Sequence, residues 1–194
     1  MTRNRRAGFT LLEILIVIAI AAMIAAIAII YSGAGRNQVS LSVESAKIAD
    51  TILEAKHLAV ATYSGGTNRV CAYGVYFNIP SSTYSLFAYN PGGGSGPCPS
   101  VAQTSSSTFN PQTDIQEYSP GTWQIHVAQG LVIQKDTNNC TSAVVVLFYP
   151  PNPTTLISQD GTTFVNQQSY VDLASADGAA TEVIAITPAG QVNF

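Results

Sequence analysis

The residue types that could do chemistry are few and scattered. Histidine occurs twice, as His57 and His126, and no metal-spaced cluster of His, Cys and acidic residues is present. The tract Pro91-Gly92-Gly93-Gly94-Ser95-Gly96-Pro97 lacks the lysine and following hydroxyl residue with which a phosphate loop holds its ligand, so it reads as a flexible loop. No Gly-x-Ser-x-Gly nucleophile elbow is present. Asp136-Thr137-Asn138-Asn139 gathers oxygen ligands, but the bidentate acid and spacing of a calcium loop are missing, and a polar turn is the better reading. Trp123 and the tyrosines suit sheet packing better than a carbohydrate or nucleic-acid surface. No catalytic residue, metal or cofactor is expected, and the chain does not read as an enzyme.

The carboxylate in an unusual setting is Glu13. From Phe9 to Tyr31 only Thr10 and Glu13 interrupt a run of Leu, Ile, Val, Ala, Met and aromatic residues. At about 1.5 Å per residue the run makes roughly 34 Å of helix, enough to cross a bilayer. Arg3, Arg5 and Arg6 form a basic leader before it, which places the amino terminus inside and everything after Tyr31 outside. An ionised group at the centre of a spanning helix costs about 2.5 to 3.5 kcal/mol, less near its start, so a useful Glu13 needs a cation nearby.

Two ordinary readings fall short. A secretory signal peptide could be cut near Ser32-Gly33-Ala34-Gly35, but its apolar core would be too long and Glu13 would have no purpose. A plain anchored exoprotein explains the length of the run but not the sequence before it.

That sequence, Gly8-Phe9-Thr10-Leu11-Leu12-Glu13 after a basic leader, resembles the cleavage and methylation site of type IV pilins and type II secretion pseudopilins. The resemblance is strong over about residues 1 to 40. It implies that a prepilin peptidase cuts between Gly8 and Phe9 and methylates the new amino group of Phe9. It also implies that Glu13, fifth in the mature chain, serves subunit assembly. The partners implied are prepilin peptidase, other pilin or pseudopilin subunits, the inner-membrane assembly platform and membrane lipid. The place implied is the cytoplasmic membrane, crossed once with the carboxy-terminal domain outside, and then the assembled pilus or pseudopilus.

With 194 residues there is room for one anchor helix and one globular domain of about 130 residues. Removing the leader leaves five basic residues against eleven acidic ones, and beyond Thr62 only Arg69 and Lys135 are basic. The exported domain is therefore acidic, which argues against nucleic acid as a partner.

Along the chain, Gly33 and Gly35 mark a place where the helix can bend or unwind. Beyond it Val39, Val43, Ala46, Ala49, Leu53 and Val60 recur at three- and four-residue spacing, with Glu44, Lys47, Asp50, Glu54 and Lys56 mainly off that stripe. The stripe is expected to face a sheet, and His57 reads as a partly exposed residue. The helix should end at Ser64-Gly65-Gly66, where the period changes to two. Arg69 to Asn78 and Thr83 to Tyr89 then form a hairpin, and Asn90 to Gln112 a Pro/Gly/Ser-rich loop. Further strands are expected at Trp123 to Val127, Leu131 to Gln134, Thr141 to Tyr149, Thr162 to Val171, Glu182 to Thr187 and Gln191 to Phe194.

Strands that follow one long helix predict an α+β fold: a leader at 1–8, a helix at 9–62 that is transmembrane over 9–31, and a domain at 63–194 with an antiparallel sheet or small sandwich. Within the family, the hairpin Val70 to Phe77 with Tyr84 to Phe87, and the closing Ile184 to Val192, resemble the minor pseudopilin H and FimT-like class. A DNA-uptake minor pilin of that class is the alternative in function. DNA-binding members, however, carry arginines where Gln191 and Asn193 stand here. Cys71, Cys98 and Cys140 cannot all pair within one chain. Cys71 with Cys98 would close the long loop onto its own hairpin, Cys98 with Cys140 is the alternative, and the remaining thiol reads as buried.

Overall fold

The first proline of the chain is Pro80, so nothing before it removes a backbone donor from a helix. In the computed structural model one helix, α1, accordingly runs Leu11–Ala61 over 51 residues. The structure describes residues 10–61, 70–91, 98–106, 108–117, 125–135, 144–150 and 152–194. Gly8, Phe9, the helix end at Ser64-Gly65-Gly66, the glycines of the 91–97 tract, Trp123, Asp136 to Asn139 and Cys140 lie outside the described residues. The backbone stays helical through Gly33 and Gly35, the place the glycines mark as able to bend or unwind.

The chain divides into two units, Met1–Val39 and Ser40–Phe194. In the first, the described side chains from Leu11 to Ala28 are all exposed, and this stretch is long and apolar enough to cross a membrane. In the second, the remainder of α1 joins two antiparallel sheets.

Here the expected stripe needs correction. Val43, Ala46, Leu53 and Val60 are exposed, whereas Leu41, Ile48, Ile52, Ala55 and Ala59 are buried in the helix–sheet core, and Ala49 is buried too. The larger Leu and Ile side chains took the buried face because each releases more apolar surface from water, about 1.5 to 3 kcal/mol per fully buried side chain. Glu44, expected off the packing face, is buried on it.

The strands are β1 (Ala72–Asn78), β2 (Thr83–Tyr89), β3 (Ile115–Glu117), β4 (Ile125–His126), β5 (Leu131–Gln134), β6 (Val145–Tyr149), β7 (Thr154–Ser158), β8 (Phe164–Val165), β9 (Ser169–Ser175), β10 (Thr181–Ile186) and β11 (Val192–Asn193). The larger sheet has the order β3-β2-β1-β6-β7-β8, with β4 also on β2, and the smaller the order β11-β10-β9-β5. The expected hairpin is β1 and β2, in register from Ala72 opposite Tyr89 to Asn78 opposite Thr83. One expected strand, Thr162 to Val171, is instead β8, a break and β9, and β7 was not expected at all. Asn90 to Gln112 is not merely a loop, since α2 (Val101–Ser106) and the first residues of α3 (Pro111–Asp114) lie in it.

The larger sheet is buried on both faces. Tyr73, Val75, Phe77, Tyr84, Val146, Phe148 and Ile157 face α1, in one core with Ile133, Leu173, Ile184 and Ile186 of the smaller sheet. Phe87, Tyr89, Val145, Leu147 and Leu156 form the opposite core with Phe109. Gly74 is required at the centre of β1: a Cβ there would stand 2.5 Å from the Val146 carbonyl oxygen and 2.9 Å from Cζ of Phe87. The Phe87 ring is thereby brought down over the strand and meets Phe109 at 6.0 Å between centroids.

Candidate functional site

Thr10 and Glu13 start the helix together. The backbone N–H of Glu13 donates to the Thr10 hydroxyl at 3.3 Å, and also to its carbonyl oxygen at 3.1 Å. This is the hydroxyl half of a capping box, with Thr10 as the cap and the glutamate three residues on, at the end of the helix where a negative charge is favoured. The signal Thr-x-x-Glu stood in the sequence and was not used. Glu13 is exposed, beside Ile14, Val17 and Ile18 on one shallow recess of the helix surface.

The other residues singled out do not converge. His57 is exposed on α1, and His126 is exposed on β4 opposite Thr83. Among the described residues no three of His, Cys, Asp and Glu are grouped to hold a metal ion. Cys71 and Cys98 are joined by a disulfide, with Cα atoms 5.2 Å apart. The bond ties the start of the segment covering the second core to the entry of β1. Tyr149 of β6 holds the same segment by donating its hydroxyl to the Pro99 carbonyl, and burial raises its phenol pKa above the ordinary value. Asp114 closes the far end: it is buried and accepts the Asn110 backbone N–H at 2.9 Å and the Thr113 hydroxyl at 3.0 Å.

Two charged side chains in the helix have internal roles that sequence reasoning missed. Glu44 accepts the Tyr84 hydroxyl at 3.4 Å and the Lys47 ammonium at 3.1 Å. Burial, followed by the Glu44 charge and hydrogen bond, raises the Tyr84 phenol pKa well above its ordinary value. Lys56 donates to the carbonyls of Ala189 and Gly190 at 3.3 and 3.2 Å, fastening the helix to the turn before β11. Gly190 has a φ of 68° and no room for a Cβ, which would lie 2.7 Å from the Thr155 hydroxyl. At Asp160 the backbone N–H groups of Thr163 and Thr162 converge on one carboxylate oxygen and hold its pKa well below the usual range.

The prokaryotic N-terminal methylation motif matches this chain over residues 3–29, which takes in the basic leader, Gly8, Phe9, Glu13 and most of the apolar run. Through this segment the chain carries the signature of prepilin-type proteins, the pilins and pseudopilins. The described residues form an α+β fold. Among solved structures, the minor pseudopilin EpsH from the Type 2 Secretion System of Vibrio cholerae is similar over 79% of this chain and 94% of that chain, with 9% sequence identity and a TM-score of 0.43. No curated protein sequence matches the chain.

Proposed function

We propose that the chain is a minor pilin or pseudopilin, held in the cytoplasmic membrane with its amino terminus inside, cut between Gly8 and Phe9, methylated on Phe9, and then polymerised by an inner-membrane platform. The observation that carries this reading is the methylation motif over residues 3–29 fused to an apolar helix whose described side chains are exposed. Force or transport then comes from growth of a filament whose core is built from residues 9–31 of many subunits.

Glu13 is the assembly residue in this proposal. Cleavage creates a cation at the Phe9 amino group, and methylation leaves it protonatable. Within one chain that group stands four residues before Glu13 in the sequence; between chains Glu13 meets the amino terminus of the next subunit. Leaving either charge alone in a low dielectric costs several kcal/mol, so a packing arrangement that pairs them is selected over those that do not. Glu13→Leu removes the burial cost, so the variant should insert and be cut normally while its share in sheared filaments falls sharply; Glu13→Asp should lie between. Normal incorporation of the leucine variant would remove the registry role.

A further inference from the structure

One edge of the smaller sheet stays partly unpaired. β10 lies between β9 and β11, yet β11 pairs only with Ala185 and Ile186. At one end of β10 the Ser175 N–H donates to the Ala180 carbonyl on the β9 side; at the other the Thr187 N–H donates to the Gln191 carbonyl on the β11 side. Main-chain groups alternate in direction along a strand, and the register with β9 is unbroken from Thr181 to Ile186. The N–H and C=O groups of Thr181 and Val183 therefore point away from β9, to a side where no strand meets them among the described residues. Both residues are exposed, Val183 by 45%. The far edge of the same sheet is closed: on β5 the Leu131 N–H donates to the Ala128 carbonyl and the Ile133 N–H to the Ser82 hydroxyl.

Exposed edges are ordinarily blunted by proline, lysine or a bulge, and Thr181-Glu182-Val183-Ile184 has none of these. It has β-branched residues, which suit strand pairing, and one carboxylate. That carboxylate selects the occupant. A second copy paired antiparallel through the same Thr181 and Val183 groups would set Glu182 directly opposite Glu182, and like charges so placed destabilise a ladder. A strand with a lysine or arginine opposite Glu182 gains what that pairing loses. The surroundings act in the same direction: residues 136–194 contain five acidic residues and no lysine, arginine or histidine. Asp172 on β9 stands opposite Val183, on the sheet face that the Val183 side chain shares. We infer that the edge of β10 at residues 181–184 docks an extended segment of a partner protein as a further strand, with a basic residue opposite Glu182 and apolar residues opposite Thr181 and Val183. The main chain supplies the affinity and Glu182 the choice of partner.

The test uses the full chain in a non-ionic detergent and three fluorescent peptides followed by anisotropy: alternating valine and lysine, the same peptide N-methylated along its main chain, and alternating valine and glutamate. The inference expects the valine-lysine peptide to bind, and the other two to bind several-fold more weakly. Val183→Pro removes a donor from the open edge and no bond to β9, so it should weaken binding several-fold while thermal unfolding stays cooperative. Glu182→Lys should invert the preference in favour of the glutamate peptide. Failure of the valine-lysine peptide to bind would overturn the inference, and so would equal binding of its N-methylated form, which needs charge attraction alone. Undiminished binding to a folded Val183→Pro variant would overturn it too, as would a wild-type dimer that this variant dissolves, which would make a second copy the occupant. Should Val183→Pro not fold, Glu182→Lys decides, and an unchanged peptide preference in that variant would sink the assignment.

Discussion

Tyr84 on β2 donates its hydroxyl to Glu44 on α1 at 3.4 Å, 40 residues away in sequence, and both side chains are buried. The pair ties the helix to the hairpin within their shared apolar core. A carboxylate held there by one phenol and one lysine cannot lose either donor cheaply.

Tyr84→Phe should therefore destabilise the domain by about 1 to 3 kcal/mol, because the buried acceptor loses a donor and gains no water. The wild type should also show an alkaline limb. The phenol pKa is raised in the folded state, so its contribution is present below the ordinary tyrosine value near 10 and is lost as pH rises beyond it. Thermal unfolding of the detergent-solubilised chain from neutral to strongly alkaline pH measures both effects, and an unchanged alkaline limb in the phenylalanine variant would contradict this assignment.

The Cys71–Cys98 bridge closes a loop with a sequence separation of 27. Loop-closure entropy assigns it about 3.5 kcal/mol. Paired Cys71→Ser and Cys98→Ser substitutions should lower the unfolding midpoint and open the covering segment to protease first, near residues 98 to 114. Loss of stability in Cys140→Ser instead, with the paired variant unaffected, would assign the bridge elsewhere.

Duplex DNA should not bind residues 63 to 194 appreciably at physiological salt. Non-specific affinity comes from lysines and arginines that neutralise phosphates, and this region has Arg69 and Lys135 against seven acids. Gln191 and Asn193, in the closing segment, are exposed and uncharged. A gel shift measured against salt concentration checks this; clear salt-dependent binding at low protein concentration would reverse it.

Much of the architecture was legible because it rests on local periodicity. The proline-free run to Ala61 and the alternation from Ala72 to Asn78 required no knowledge of the rest of the chain. The helix face was not legible, because α1 carries apolar residues on both sides and its buried side includes Glu44, whose partners Tyr84 and Lys47 become visible only in three dimensions. β7 was hidden for a related reason: Leu156 and Ile157 serve opposite cores of the larger sheet, so no alternation distinguishes them. It also follows a proline-rich turn that reads as a loop. At the amino terminus Glu13 stood out at once by its cost in lipid, while the Thr10 cap that places it went unnoticed.

The account depends most on the processing of the amino terminus, and intact-mass and fragment-ion mass spectrometry of the chain recovered from membranes tests it directly. The prediction is a mature chain that begins at Phe9 and carries one methyl group on its amino nitrogen, with Gly8→Leu blocking both changes. A chain that begins near Gly35, or one that keeps residues 1 to 8 in a cell with active prepilin peptidase, would contradict the prepilin reading.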